Sequence, residues 1–216
     1  MKIGIVGTGA VGGYYGALLA NSGFEVHFLM HSDYAHVQQY GLYVESKNGD
    51  INLPRVNAYG DPSDMPACEV AIVGLKTTEN QLLADILPQA AHPDATVVVL
   101  QNGLGVESDI AEAMPQATIL GGLCFLCSNK VGPGYIRHLD YGAIRLGQYR
   151  PDGGAAGITQ TLQQVAETFG HAGITIHLTE DLLRARWEKL VWNIPFNGLS
   201  VILNATTRQL MENDAA

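Results

Sequence analysis

A glycine-rich turn close to the amino terminus constrains the fold of this chain more than any other feature. The apolar run KIGIV at residues 2–6 predicts a strand, residues 17–20 continue a helical pattern, and the motif GTGAVG lies between them. In such a unit the first glycine makes the tight turn, the second lets a pyrophosphate approach the backbone, and the third lets helix and strand pack closely. Free N–H groups at the helix N-terminus favour the phosphates. A dinucleotide site is therefore predicted at Gly7, Thr8, Gly9, Ala10, Val11 and Gly12. The alternative is a glycine-rich turn that binds nothing.

Predicted strands and helices alternate along most of the chain after this turn. Strands are predicted at 25–29, 70–75, 96–100 and 119–126, and helices at 79–90, 106–114 and 158–170. This βαβα order indicates a Rossmann-type α/β fold, in which a mainly parallel sheet is covered by helices on both faces. After Lys130, the stretch VGPGYIRHLDYGAIRLGQY predicts an antiparallel edge or hairpin. It finishes a first, NADP-binding domain, which we place at residues 1–178.

Residues 179–216 predict the first part of an all-α second domain. The helix starts with a capping signature, Thr179 followed by Glu180 and Asp181 in the first turn, and then becomes apolar on nearly all sides. Such a helix is expected in the middle of a helical domain, because exposure costs about 25 cal/mol per Å² of apolar surface. We therefore expect that a partner chain covers it, as in a homodimer, or that the sequence is a truncated form of a longer protein.

Charge and cysteine content exclude several classes of protein. Twelve lysines and arginines against 21 aspartates and glutamates give a net charge of −9, which argues against nucleic acid or an anionic membrane as partner. No stretch has the roughly 20 apolar residues of a membrane helix, and the start lacks the features of a signal peptide. Three cysteines are too few for a disulfide framework, and the histidines show no metal-ligand spacing. We expect a cytoplasmic enzyme without a metal.

Cys124 and Cys127 form the one closely spaced cysteine pair. On the predicted strand, residues i and i+3 project to opposite faces, so a redox pair or a metal clamp is not expected.

Polar residues follow the predicted strands at the edge where open α/β sheets bind ligands. Lys76 follows AIVGL, and Asn102 lies in QNGLG after the next strand, although both residues are also ordinary turn formers. At the end of the second strand, His31 and Ser32 could bind the 2′-phosphate of NADP. An ordinary polar loop is the alternative, and the neighbouring Asp33 could instead serve NAD; we favour NADP.

Three polar residues recur every four positions in the apolar C-terminal helix. Because four residues advance a helix by about 400°, Lys189, Asn193 and Asn197 lie along one stripe. A solvent-facing stripe is the simple interpretation, but the bulky neighbours leave little of the helix suited to water. A ligand could then pair with groups that would otherwise be buried at a cost of about 1 to 3 kcal/mol. Desolvation would lower the pKa of such a lysine and suit it to protonate a carbonyl oxygen during hydride transfer.

Five segments together, in order along nearly all of the chain, resemble the ketopantoate reductase (2-dehydropantoate 2-reductase) family. They are MKIGIVGTGAVGGYYGALLA, GLKTTEN, VVLQNGLG, GPGYIRHLDYGAIRLG and RARWEKLVWNIPFNGLSVILNAT. The resemblance implies NADPH-dependent reduction of the keto acid 2-dehydropantoate to (R)-pantoate, a step toward pantothenate and coenzyme A. It implies Lys189 as the catalytic acid, Asn193, Asn197 and Asn102 as substrate ligands, and Lys76 and Asn102 at the cofactor.

The chain departs from the family in two places. The family usually carries an arginine where this chain has His31, which leaves the choice between NADP and NAD open. The family's second domain also continues beyond the NAT motif into a segment that supplies a serine and a glutamate. We therefore expect a fragment or a shortened paralogue that binds cofactor more securely than it turns over substrate. A related 2-keto or 3-hydroxy acid dehydrogenase and a non-catalytic dinucleotide-binding protein are the alternatives.

Overall fold

The computed structural model describes residues 1–212 of the chain. Within these residues the strands are β1 Lys2–Val6, β2 Glu25–Leu29, β3 Leu42–Ser46, β4 Ile51–Leu53, β5 Asn57–Tyr59, β6 Cys68–Val73, β7 Ala91–Val99, β8 Thr118–Gly132, β9 Tyr135–Gln148 and β10 Ile176–Leu178. The helices are α1 Ala10–Asn21, α2 Tyr34–Tyr40, α3 Leu83–Ala90, α4 Val106–Ala113, α5 Gln160–His171, α6 Leu182–Ile202 and α7 Thr207–Met211. Short 3₁₀ turns occupy Pro62–Asp64 and Thr77–Leu82, so the helix predicted at 79–90 begins as a 3₁₀ turn.

All ten strands form one sheet in the order β4-β3-β9-β8-β7-β6-β1-β2-β5, with β10 paired to β9. Only β3–β4 and β8–β9 pair antiparallel; the seven other pairs are parallel. β1 and β6 are almost wholly buried apolar runs, as strands covered on both faces must be. The mainly parallel α/β fold predicted from the sequence is confirmed.

Two cores lie on opposite faces of the sheet. One packs α1 and α5 on the sheet through Tyr15, Leu19 and Phe169, and the other packs α3 and α4 through Leu87 and Ile110. Alternate residues of one strand enter different cores; in β1, Ile5 belongs to the first core and Val6 to the second. Because the cores fix the strands from both sides, the loops at their carboxyl ends are held in a defined arrangement.

The hairpin predicted after Lys130 is present, but its position at the sheet edge was wrong. β8 and β9 pair antiparallel over most of their length and lie inside the sheet, between β7 and β3. The reason is that β3 does not lie beside β2, the strand before it in the chain. It pairs in parallel with the start of β9, at Tyr43 with Tyr135. The sequence analysis did not predict β3, β4, β5 or α2, all of which are short.

The long helix predicted from residue 179 is present as α6, which begins at Leu182; its place in a helical second domain stays a prediction. Only its first turns are buried, through Leu182, Ala185 and Arg186. Beyond Lys189 most of its apolar side chains are exposed; Val191 and Val201 are 75% and 80% accessible. Among residues 1–212, only β8, β9 and the short α7 pack closely on it, which is too little to cover all its faces. Residues 213–216 of the predicted second domain lie outside the described residues.

Candidate active site

The glycine turn has the geometry that its sequence predicts. Gly7 has φ +94°, and a Cβ there would lie 2.6 Å from the backbone nitrogen of Leu75. A Cβ on Gly12 would overlap the Gly7 carbonyl oxygen, whereas a Cβ on Gly9 would meet nothing within 4 Å. The first and third glycines are therefore required by the protein itself, and the second leaves open space at the start of α1. That space, in front of N–H groups that no described side chain caps, fits a pyrophosphate.

A continuous set of contacts runs from this turn across the ends of β6 and β7. Gly74, after β6, donates its N–H to the Val6 carbonyl at 2.9 Å. Gln101, after β7, donates through Nε2 to the Leu75 carbonyl at 2.8 Å and to Asn80 Oδ1 at 2.7 Å. The turn and Asn102 therefore lie on the same edge of the sheet, two strands or about 10 Å apart.

The end of β2 joins this edge on the other side of the turn. Thr8 donates from its hydroxyl to the Leu29 carbonyl at 3.0 Å. His31 and Ser32 follow and are exposed, but Asp33 is buried. Its carboxylate accepts from Lys130 Nζ at 2.6 Å, from the Gly134 N–H at 2.9 Å and from the Ser32 hydroxyl at 3.1 Å. The Asp33 carboxylate is thus engaged within the protein by the β8–β9 hairpin.

The pKa of Asp33 reflects these contacts. Burial disfavours the charged carboxylate, but the hydrogen bonds from Lys130, Gly134 and Ser32 outweigh burial, so the pKa lies below its ordinary value. Asp33 is ionised at neutral pH.

Lys189 reaches the same edge from α6. Its Nζ donates to Asn102 Oδ1 at 2.9 Å and to the Cys124 carbonyl of β8 at 2.7 Å, and it lies 5.4 Å from the centre of the Phe125 ring. The structure thus joins the helix lysine to the asparagine after β7, which are 87 residues apart in the chain. Both had been singled out as candidate site residues from the sequence.

Burial lowers the pKa of Lys189, because the charged ammonium is favoured by water. The positive charge of Arg186 acts in the same direction. Beside it, burial raises the pKa of the Cys124 thiol to about 11, so this thiol is neutral near pH 7. A cation that releases its proton more readily than an ordinary lysine therefore lies at the edge of the sheet.

The remaining candidates lie at different distances from Lys189. Asn193 lines a cleft of about 470 Å³ together with Lys189, Phe125 and Trp192. Asn197 lies one turn further along α6 and is exposed, and the Lys76 side chain is exposed at the end of β6. Lys189 thus contacts Asn102 and shares a cleft with Asn193, while Asn197 and Lys76 lie outside this group.

Two pairs of charged residues at this edge were missed by the sequence analysis: Lys130 with Asp33, and Arg186 with Glu107. The one available signal was Arg186, a charged residue between Ala185 and Trp187 in α6. Residues 1–212 contain no cluster of three or more His, Cys, Asp or Glu side chains that could hold a metal ion. In the same part of the chain, no helix combines the length and apolar character needed to cross a membrane.

Two family models, one curated relative and two crystal structures name the same enzyme family. The family model described as "Ketopantoate reductase PanE/ApbA" matches residues 3–151, and "Ketopantoate reductase PanE/ApbA C terminal" matches residues 181–216. The chain is 61% identical to a 2-dehydropantoate 2-reductase of Nostoc sp. over 97% of its length. It is 41% identical to the crystal structure of a 2-dehydropantoate 2-reductase from Geobacter metallireducens, with a TM-score of 0.92 over the whole chain. The corresponding structure from Methylococcus capsulatus is 34% identical, with a TM-score of 0.83 over 94% of this chain.

The chain is shorter than these relatives. It spans 66% of the Nostoc protein, 70% of the Geobacter chain and 64% of the Methylococcus chain.

Proposed function

Because the chain belongs to the ketopantoate reductase family, we propose that it is an NADP-dependent oxidoreductase that reduces 2-dehydropantoate to (R)-pantoate, with Lys189 as the general acid. The observation that carries the proposal is the position of Lys189 Nζ, bound to Asn102 at the edge of the sheet that also bears the glycine turn. The pathway that this reaction serves is the biosynthesis of pantothenate and coenzyme A. We propose the cytoplasm as its location.

The hydrogen-bonding capacity of Lys189 supports the role of proton donor. An ammonium has three N–H donors, and the described contacts use two, on Asn102 and on the Cys124 carbonyl. The third can bind a keto oxygen in the adjoining cleft. When bound, the reduced nicotinamide supplies the hydride that adds to the keto carbon. Lys189 stabilises the negative charge that grows on the oxygen and then donates its proton there, which its lowered pKa makes easier.

Asn102 and Asn193 are proposed substrate ligands. Asn102 accepts from Lys189 through Oδ1, which leaves its amide N–H groups to donate to a substrate oxygen. Asn193 borders the same cleft one turn along α6. Asn197, the next residue of the stripe, remains a proposed ligand of the part of the substrate furthest from Lys189.

The end of β2 supports NADP rather than NAD. NAD enzymes of this type use a carboxylate at this point to bind the ribose hydroxyls, whereas a cation accommodates a 2′-phosphate. Here the Asp33 carboxylate is engaged by Lys130 and Gly134. His31 and Ser32 remain exposed at this point. We assign the pyrophosphate to residues 7–12, the 2′-phosphate to His31 and Ser32, and Lys76 to the cofactor side of the site.

The test is NADPH oxidation by this 216-residue chain, followed by nicotinamide absorbance, with 2-dehydropantoate and a small panel of other 2-keto acids. Lys189→Met should lower kcat by about 10²- to 10⁴-fold, the usual contribution of a general acid, and leave NADPH affinity within a few-fold. Lys47→Met, on a lysine of the β3–β4 turn, is the matched control and should keep the wild-type rate. Undiminished turnover by Lys189→Met would refute the assignment.

The same assay separates the alternatives. NADPH binding without oxidation of any substrate identifies a non-catalytic dinucleotide-binding protein. Oxidation with another keto acid, but not with 2-dehydropantoate, identifies a related dehydrogenase. A homodimer through residues 179–216 is the proposed assembly, because apolar side chains of α6 are exposed; sedimentation with and without NADPH tests it.

A further inference from the structure

A buried ion pair joins α4 to α6 beside the candidate site. Glu107 and Arg186 are each less than 5% exposed, and Glu107 Oε1 accepts from both Nε and Nη2 of Arg186. Glu107 is the second residue of α4, where the helix dipole favours a negative charge. The guanidinium also donates from Nη1 to the Gln101 carbonyl at 2.7 Å. One buried cation therefore binds α4 and the end of β7 at the same time.

Arg186 and Lys189 attach one turn of α6 to two consecutive residues after β7, Gln101 and Asn102. They are three positions apart on the helix and lie on the same side of it. Arg186 binds the Gln101 carbonyl, and Lys189 binds the Asn102 side chain. The Arg186–Glu107 pair between α6 and α4 is buried and has two N–H donors, whereas the ion pair of Arg145 in the sheet with Glu188 in α6 is exposed and expected to contribute little.

Two glycines in the sheet provide space for this attachment. Gly121 of β8 and Gly147 of β9 are paired directly across the two strands. A Cβ on Gly121 would lie 2.5 Å from Glu107 Oε1 and 2.6 Å from Leu182 Cδ2, and a Cβ on Gly147 would lie 2.7 Å from Thr179 Cγ2. The paired glycines thus form a depression that receives the start of α6 and the Glu107 carboxylate.

We propose that Glu107 and Arg186 are positioning residues that, with the Gly121–Gly147 depression, hold Lys189 against Asn102 in the geometry needed for proton donation. The proposal rests on the proposed function for its catalytic consequence, but the position of Lys189 can be measured independently. Neither residue needs to contact substrate. Their effect is on where α6 lies, and a shift of about 1 Å in a reacting group can cost about 100-fold in rate.

The test compares Arg186→Lys with Arg184→Lys. The first keeps the charge but loses the planar fork that binds Glu107 and the Gln101 carbonyl together. The second is the matched control, because Arg184 lies on the same helix in an exposed pair with Glu188. Arg186→Lys should lower kcat about 10- to 100-fold with KM and NADPH affinity changed less than about threefold, and Arg184→Lys should behave as wild type.

A second measurement does not depend on turnover. The chain has five lysines, at positions 2, 47, 76, 130 and 189, so carbon-13 labelling of lysine ε-carbons gives a spectrum in which Lys189→Arg assigns the signal of Lys189. Arg186→Lys and Arg184→Lys each add a sixth lysine signal, so Lys189→Arg is repeated in each variant to assign Lys189. The chemical shift and titration of the Lys189 signal should change in Arg186→Lys and in Gly121→Ala, and stay unchanged in Arg184→Lys. If the wild-type chain lacks reductase activity, the proposed function is refuted. The Lys189 signal can still be compared between the variants, so the positioning proposal is tested separately.

The double variant Glu107→Leu/Arg186→Met covers the case in which single variants do not fold. Replacing both charges with apolar side chains avoids an unpaired buried charge, so the fold can be retained. We expect a folded protein with reduced kcat; its Lys189 signal would change through loss of the Arg186 charge alone and is therefore not used as a measure of position. If the double variant folds with the wild-type kcat and Arg186→Lys folds with the wild-type Lys189 signal and kcat, or both lose only stability, the pair is merely structural and the proposal is overturned.

Discussion

Two alanine substitutions in the glycine turn should separate its structural from its binding role. At Gly9 the added methyl meets nothing within 4 Å, and the backbone there has φ −95°, which alanine adopts without strain. At Gly12 the methyl would overlap the Gly7 carbonyl oxygen and lie 3.1 Å from Ile5 Cγ2. Gly9→Ala should therefore change the free energy of unfolding by less than about 1 kcal/mol. Gly12→Ala should lower it by about 1 to 3 kcal/mol, as overpacking does.

The two substitutions should affect NADPH binding for different reasons. Gly9→Ala should act on binding directly, and Gly12→Ala only through the fold. The Gly9 methyl would occupy the open space proposed for the pyrophosphate, so Gly9→Ala should weaken NADPH binding at least about tenfold, or about 1.4 kcal/mol, in a folded protein. Gly12→Ala should weaken binding only as far as it disturbs the fold. Urea unfolding followed by circular dichroism gives the stabilities, and NADPH fluorescence titration gives the affinities. Wild-type affinity in Gly9→Ala would show that the cofactor does not lie over this turn.

Three further predictions concern the charged groups of the site. Lys130→Met should lower the free energy of unfolding by about 1 to 3 kcal/mol at pH 7. Because the pKa of Asp33 is depressed in the folded state, this loss of stability should shrink as pH falls below 3.8, the ordinary pKa of an aspartate. A loss of stability that is constant with pH would contradict the prediction. The pKa of Lys189 is also lowered, so the unfolded chain binds more protons, and this residue makes stability rise with pH up to 10.5. Urea unfolding between pH 7 and 10 should show this rise in the free energy of unfolding in the wild-type protein and not in Lys189→Met. His31→Arg should increase the ratio of NADPH to NADH affinity several-fold, and an unchanged ratio would remove position 31 from the 2′-phosphate site.

The parts of the fold that follow from local pattern could be predicted from the sequence. β1 and β2 are apolar runs with clear turn signals, and α6 starts two residues after the predicted capping residue Thr179, with Asp181 accepting from the Arg184 N–H. β5 has only three residues, Asn57–Tyr59, and gains its place by pairing with β2, where the Asn57 amide also donates to the Val26 carbonyl. No local periodicity marks such a strand.

In the candidate site, too, local sequence pattern identifies single residues but not the contacts between them. Lys189 and Asn102 could be singled out because one lies on a helical stripe and the other follows a strand. Their contact is a product of the order of strands in the sheet and of the place where α6 docks. The Asp33–Lys130 and Glu107–Arg186 pairs join residues 97 and 79 positions apart, and their partners could be identified only from the three-dimensional structure.

The place of β9 within the sheet has a consequence for the order in which the chain can fold as it leaves the ribosome. β3 pairs with β9, and the side chains of Ser46 and His138 that meet at this pairing are 92 residues apart. Until β9 has been synthesised, β3 and β4 form an isolated two-stranded ribbon, which is at best marginally stable in water, and β8 lacks its antiparallel partner. β3 and one edge of β8 therefore stay unpaired, and open to aggregation, until β9, which ends at Gln148, has emerged.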